Sequence, residues 1–349
     1  MEGKLRLPLA DRADTARDVS ARIQEKAERV HILTGPVCNN NCIFCMEEDR
    51  EGRKILNSQT DDALVDWILE QNAPCEEVCF TSGEPTMNKS LPRWVQKARK
   101  AGVDRVSVMT NARALSYLRY AQMLVKAGMN RFYVSIHGHT ARLHESLVRT
   151  PGAFDQTVEG IRNITKLKRY GVELHTSTVV TKRNLPHLKD IYRFLRALGV
   201  DQVVFNIMQA NGRADTYFER IFPRYSDIAA EAARFVEGET GPVMAFFVDI
   251  PLCTTTALPD FNRGFVEAYK HYEPDDGSAG GHDVRLKVLD RAEDEEGPVA
   301  VRRSDLDDDL RQKRAECRSC RYDAVCEGVW SNYLKRFGWD EMVPVPFDD

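Results

Sequence analysis

Between residues 30 and 208 short apolar runs alternate with amphipathic ones, and each helical run is bounded by a breaker or a turn signal. Strands are expected at 30–34, 77–81, 105–110, 131–136, 172–180 and 202–208. Helices are expected between them at 58–71, 91–101, 114–127, 154–170 and 185–198. Gly102, Gly128, Gly171 and Gly199 each stand just past a helical run, where a left-handed residue ends the helix. Strand–helix alternation of this kind builds a parallel sheet covered by helices, joined by right-handed crossovers. Six strands fall short of the eight that close a (β/α) barrel. The expected fold is therefore α/β: a partial (β/α)6 barrel, open on one side, with room for a substrate larger than a metabolite. Ligands in such sheets bind at the C-terminal ends of the strands.

A chain of 349 residues is long enough for one large domain and a smaller one. The expected division is a helical N-terminal extension over 1–29, with its helix at 11–29, a barrel core over 30–215, and a C-terminal domain over 216–349. In the last part a helix is expected at 226–237 and a strand at 243–250. A hairpin of 284–289 and 299–303 would flank an acidic turn at 290–297, after a polar loop at 273–282. With 49 basic and 53 acidic residues the net charge is −4, which gives no field for nucleic acid or anionic lipid. The apolar runs are too short to span a bilayer, and the N-terminus lacks the apolar stretch of a secretory signal. The expectation is a cytoplasmic protein with neither a nucleic-acid nor a membrane partner.

In a chain without a secretory signal, nine clustered cysteines read as metal ligands or catalytic thiols, not disulfides. Cys38-Asn-Asn-Asn-Cys42-Ile-Phe-Cys45 puts three thiols into one tight loop after the first strand. A [4Fe–4S] cube needs an external ligand on each of its four irons. Three thiolates hold three irons and leave the fourth for a bidentate amino and carboxylate group. Zinc and purely structural thiols are the competing readings; zinc more often takes paired C-x2-C ligands with a distant partner pair.

These residues resemble the radical SAM superfamily, whose members use S-adenosylmethionine (SAM). The loop is similar to the family's CxxxCxΦC motif, with Phe44 as the aromatic. Ser82-Gly83-Glu84-Pro85 resembles its GGEP motif, with serine in place of the first glycine. Thr110-Asn111 and Val134-Ser135-Ile136-His137-Gly138 resemble two further strand ends, with His137 where Asp is usual. Arg149, Gly152-Ala153-Phe154 and the run Thr178 to Asn184 extend the resemblance to about residue 210. It implies that Cys38, Cys42 and Cys45 hold a [4Fe–4S] cluster bound with SAM. It implies SAM contacts at Phe44, Ser82, Gly83, Glu84, Pro85, Asn111 and Ser135. The implied chemistry is reductive cleavage of SAM to a 5′-deoxyadenosyl radical that abstracts a hydrogen atom. A donor such as flavodoxin or ferredoxin would supply the electron. No catalytic side chain is assigned.

Near the C-terminus, Cys317-x2-Cys320-x5-Cys326 joins Cys253 upstream to make a second set of four thiols. The arrangement resembles the SPASM and twitch auxiliary domains, and the one-cluster twitch form fits this cysteine count. It implies a second [4Fe–4S] cluster on Cys253, Cys317, Cys320 and Cys326. Four thiols are also a tetrahedral zinc set, and that reading stays open. Cys79 is expected as a buried core thiol; the competing reading is a thiol near the radical that donates a hydrogen atom, as an epimerase requires. His137, His139 and His144 are expected on the polar surface or by the SAM pocket; a metal role is disfavoured and a general-base role stays open. The N-terminal segment of about 30 residues is shorter than the domain-sized modules that hold leader peptides in many peptide-modifying relatives. Peptide or protein modification is nonetheless narrowly favoured. The alternatives are oxidation or rearrangement of a small molecule in cofactor or natural-product biosynthesis, and a non-catalytic iron–sulfur or zinc protein. Ser82–Pro85 and Ser135 count against the last.

Overall fold

The computed structural model describes residues 29–46, 61–73, 75–207, 212–239, 245–258, 283–286, 299–302, 311–323, 326 and 328–347. The expected N-terminal helix, the polar loop at 273–282 and the acidic turn at 290–297 lie outside these residues.

Seven parallel strands run in chain order across one sheet: β1 (Arg29–Leu33), β2 (Glu77–Thr81), β3 (Arg105–Thr110), β4 (Arg131–Ser135), β5 (Glu173–Val180), β6 (Gln202–Ile207) and β7 (Ala245–Val248). Helices α1 (Asp62–Asn72), α2 (Leu91–Lys100), α3 (Leu118–Ala127), α4 (Ala141–Val148), α5 (Ala153–Leu167) and α6 (Leu188–Ala197) stand between the first six. Because each strand pairs with the next in sequence, every right-handed crossover lays its helix on the same side of the sheet. Beside β1 the sheet adds β8 (Asp283–Leu286), parallel to it through His31 and Val284, and then the antiparallel β9 (Val299–Arg302). The partial barrel therefore forms as expected, with a further parallel strand at each end, β7 beside β6 and β8 beside β1. Residues 245–248 pair with β6 from Val203 to Asn206, on the C-terminal side of the boundary expected at residue 215.

The two faces of the sheet differ in chemistry. Val78 and Phe80 of β2, Val106 and Val108 of β3, and Phe132 and Val134 of β4 are buried in one apolar cluster with the helices. Phe80, for example, stacks on Trp94 of α2. By the period of two along a strand, the intervening residues face the concave interior. That row is polar. Ser107 donates to Glu77 Oε1 at 2.6 Å, and the Glu77 carboxylate also meets Arg131 at 3.2 Å and the Tyr133 hydroxyl at 3.1 Å. Cys79 belongs to the same row, so it is fully buried but lines the barrel interior instead of the helix-packed core.

Local boundaries shift where a cap decides them. α1 starts at Asp62, within the helix expected at 58–71, because the Asp61 carboxylate accepts from Leu64 N. α4 was not foreseen. Thr140 caps it by accepting from Leu143 N, and Arg149 ends it in a left-handed conformation.

After β6 come the short helices α7 (Arg213–Thr216) and α8 (Phe218–Ile221), then α9 (Tyr225–Glu237). The ribbon β10 (Arg311–Gln312) and β11 (Val329–Trp330) leads into α10 (Ser331–Phe337). Rings from both sides of this long connection interleave: Phe222, Tyr225, Tyr333 and Phe337 pack at centroid distances of 4.1 to 5.5 Å. The Tyr333 hydroxyl accepts from Tyr225 N at 3.1 Å. Arg311 stacks over Trp330 and pairs with Asp249 at 2.6 Å, which holds the β10–β11 ribbon beside the segment that carries Cys253.

Candidate active site

Three loops at the C-terminal ends of β1, β2 and β3 are bound into one unit. Thr34 donates from its backbone to Thr81 O at 2.8 Å and from its hydroxyl to Thr81 O and Ser82 O. Glu84 N donates to Val37 O at 2.8 Å. The loop after β2 comes so close that a Cβ at Gly83 would stand 2.2 Å from Gly35 O and 2.7 Å from Val37 O. Only glycine fits there. Ser82 also has a positive φ of 70°, a conformation that costs a side chain energy and costs glycine none. That is the physical reason the related motif carries glycine at this place.

Glu84 is buried, and its carboxylate is spent within the protein. It accepts from Thr86 N at 3.1 Å, from the Thr86 and Thr110 hydroxyls at 2.5 Å each, and from Asn111 N at 2.6 Å. Burial pushes its pKa up, against the pull of those four donors. The side chain therefore joins the ends of β2 and β3.

The cysteine loop is held from four directions. Asn41 N and Ile43 N donate to Val148 O and Leu147 O at the end of α4. Asn111 Nδ2 donates to Asn39 Oδ1 at 2.6 Å and lies 4.0 Å from Cys38 Sγ. Arg113 donates to Asn39 O and to Asn40 Oδ1. Arg213, from the far side of the barrel, donates to Asn41 Oδ1 at 2.7 Å and Cys42 O at 2.9 Å, and its own N donates to Cys45 O at 3.0 Å. Cys38, Cys42 and Cys45 form no disulfide, and each is partly exposed. Sequence reasoning missed both arginines. Nothing local distinguishes either one from the other 47 basic residues of the chain.

Phe44 is buried against His137, edge to face at 4.6 Å. His137 and His144 are not surface groups. His137 N donates to His144 Nδ1 at 3.1 Å, and His137 Nδ1 accepts from Val179 N at 3.2 Å. Burial pulls both imidazoles down, His137 well below its ordinary value and His144 to about 4, so both are neutral near pH 7. Ser135 ends β4, next to Ser177 on β5. The structure thus brings Phe44, Ser82, Gly83, Glu84, Pro85 and Asn111 to the three joined loops, with Ser135 at the neighbouring strand end.

The second cysteine set also converges. Cys253, Cys317, Cys320 and Cys326 line one cavity of about 410 Å³, counted with its open mouth. Pro251, Trp339 and Met342 complete its wall. Burial pushes the Cys253 thiol up to about 12, helped by repulsion from the other three sulfurs. Burial likewise raises Cys326, against the Gly328 N–H and Lys313.

Residues 32–222, more than half of the chain, match the Radical SAM superfamily. The chain is a radical SAM enzyme. Radical SAM proteins bind a [4Fe–4S] cluster and SAM, and the donor chemistry fits: three thiols outside any disulfide in one braced loop, beside the close approach of Gly83 to the backbone of Gly35 and Val37. The AdoMet-dependent heme synthase of Oleidesulfovibrio alaskensis is 33% identical over 181 residues, 51% of this chain and 44% of that protein. A probable GTP 3′,8-cyclase of Sulfurisphaera tokodaii is 29% identical over 199 residues, 57% of this chain and 61% of that protein. The match to this radical SAM chain thus spans about half the length of these curated relatives. Among solved structures, SuiB of Streptococcus suis bound to precursor peptide SuiA superposes with a TM-score of 0.60 at 15% identity, over 99% of this chain and 82% of that one. Native anSMEcpe with bound AdoMet gives 0.56 at 13% identity, over 91% and 93%. At such identities these radical SAM structures show a shared fold. No described helix of the chain is long and apolar enough to cross a membrane.

Proposed function

We propose that Cys38, Cys42 and Cys45 hold the [4Fe–4S] cluster and that the loops after β1 to β4 seat SAM, for the modification of a peptide or protein substrate. A reduced cluster bound with SAM supplies the electron that breaks the sulfonium C–S bond and the 5′-deoxyadenosyl radical that removes a hydrogen atom from the substrate. The protein's part is placement and the exclusion of water. The observation that carries the reading is the binding of three strand-end loops into one rigid unit around the three thiols. Within it, Ser82 to Glu84 line the side that would receive the amino acid end of SAM, with Pro85 fixing the turn. Asn111 stands beside Cys38, Phe44 and Ser135 flank the opening, and Arg113 and Arg213 bring positive charge to the cysteine loop.

Residues 216–349 carry the auxiliary cysteines, which we assign to a second [4Fe–4S] cluster. Zinc bound at about 2.3 Å would draw four sulfurs to within about 3.8 Å of one another. Among the described residues no three cysteine sulfurs lie within 4.8 Å of one another. A cavity walled by four spread thiols supports a cube over a single ion. The peptide reading is supported by the fold shared with peptide-bound SuiB, which extends over nearly the whole chain, C-terminal region included. An open barrel with a polar interior suits such a substrate, with a flavodoxin or ferredoxin as electron donor in the cytoplasm. A second reading, a small-molecule substrate, is favoured by the curated relatives, named for heme synthesis and GTP cyclisation.

Formation of 5′-deoxyadenosine by anaerobically reconstituted protein tests the core of this reading. Activity is expected in the native chain and absent in Cys42→Ala; undiminished turnover in the variant would refute the assignment. Mass spectrometry after incubation with candidate precursor peptides and, separately, with porphyrin precursors or nucleotides separates the two substrate classes.

A further inference from the structure

His139 lies in the loop that follows β4 and leads to the Thr140 cap of α4. His187 and Asp190 follow β5, on the turn that opens α6 and on its first helical turn. β4 and β5 are paired neighbours from Arg131 to Ser135, so these two loops emerge side by side at one edge of the barrel. The fold uses that proximity. One ligand atom from each of His139, His187 and Asp190 falls within 4.8 Å of the others. No other triple of histidine, cysteine or acidic ligand atoms among the described residues is so close.

We propose that His139, His187 and Asp190 form a binding site for a divalent cation of the zinc class, separate from both cysteine sets. The ring centroids of the two histidines are 5.4 Å apart at 50°, a tilt that lets both nitrogens approach one point without stacking. His187 Nδ1 is 3.6 Å from Asp190 Oδ2, too far for a hydrogen bond and short enough for two ligands of one ion. His139 Nδ1 is buried without a hydrogen-bond partner, a cost that native structures rarely leave uncompensated. Two imidazoles and a carboxylate suit zinc, nickel or copper over magnesium or calcium, which prefer all-oxygen sets. Three protein ligands leave a fourth position for water. The N-terminus of α6 repels a cation there, and the Asp190 carboxylate offsets that field. Such an ion would clamp the loops after β4 and β5 together, two residues from the His137 ring that packs on Phe44.

Equilibrium dialysis of cluster-loaded protein against Zn²⁺, with metal counted per chain, tests the site. One zinc equivalent is expected beyond the iron content. His139→Ala and His187→Ala should each abolish it or weaken it by more than the ~10–100-fold that losing even an outer-sphere partner costs. Asp190→Asn, which keeps the side-chain shape, should weaken it by at least about 10-fold, and circular dichroism should show all three variants folded. No additional equivalent in the native protein, or an equivalent that persists in all three variants, would overturn the proposal.

Discussion

Gly83→Ala gives the most direct test of how the active-site loops are held, because the structure offers a matched control. At Gly83 φ is +54°, and an added Cβ would stand 2.2 Å from Gly35 O, 2.7 Å from Val37 O and 2.8 Å from Pro36 C. All three are backbone atoms that cannot swing aside. At Gly171 φ is +80°, and nothing lies within 4 Å of an added Cβ. Both substitutions incur the left-handed penalty of roughly 1–2 kcal/mol. Only Gly83→Ala adds an overpacking cost of about 1–3 kcal/mol. The expected losses are therefore about 2–5 kcal/mol for Gly83→Ala and about 1–2 kcal/mol for Gly171→Ala. Urea unfolding of the metal-free, fully reduced protein measures both, with stability compared at equal slope. Iron per chain after anaerobic reconstitution supplies the functional readout. Since Gly35 to Val37 form the base of the cysteine loop, Gly83→Ala should take up less iron and Gly171→Ala a normal amount. Equal destabilisation of the two variants, together with full iron uptake by Gly83→Ala, would refute the close-approach argument.

Arg213→Gln and Arg113→Gln each remove charge-assisted bonds to the cysteine loop worth about 1.5–3 kcal/mol apiece. Chelators should strip the first cluster about tenfold faster or more, and its midpoint potential should fall, as voltammetry would show. Glu84→Gln turns an amide toward one or more of the four donors that now meet a carboxylate. A loss of about 1–3 kcal/mol is expected, and an unchanged urea midpoint would mean that those bonds do not hold the loops. Cys253→Ala should lower bound iron from roughly eight to roughly four atoms per chain, the content of two cubes against one, while leaving 5′-deoxyadenosine formation measurable. The folded metal-free protein holds the Cys253 thiol at about 12 against an ordinary 9.0. A raised thiol contributes stability that is whole below about pH 9 and is lost as pH climbs toward 12. Urea midpoints of the metal-free protein should therefore fall over that window, and less steeply in Cys253→Ala.

Much of this molecule is legible from neighbours along the chain. The strands expected at 77–81 and 105–110 match β2 and β3 residue for residue, because alternation and flanking turn residues are local signals. The cysteine loop is likewise a local pattern. α4 escaped notice because its eight residues are bounded by a threonine cap and a left-handed Arg149, neither of which is a strong stop signal. Residues 245–248 read as a strand, but only pairing with β6 made them the seventh of the barrel.

Sequence alone determined the class of fold, the direction of the barrel and the three-thiol loop, since each depends on spacings of two to seven residues. Tertiary structure alone decided that Arg113 and Arg213 brace that loop and that His137 and His144 are buried. It also placed His139 beside His187 and Asp190. Contacts of this second kind are fixed by which strands pair and how tightly the sheet curls, so their partners are 42 to 172 residues apart in several cases. No window of sequence contains both ends of such a contact.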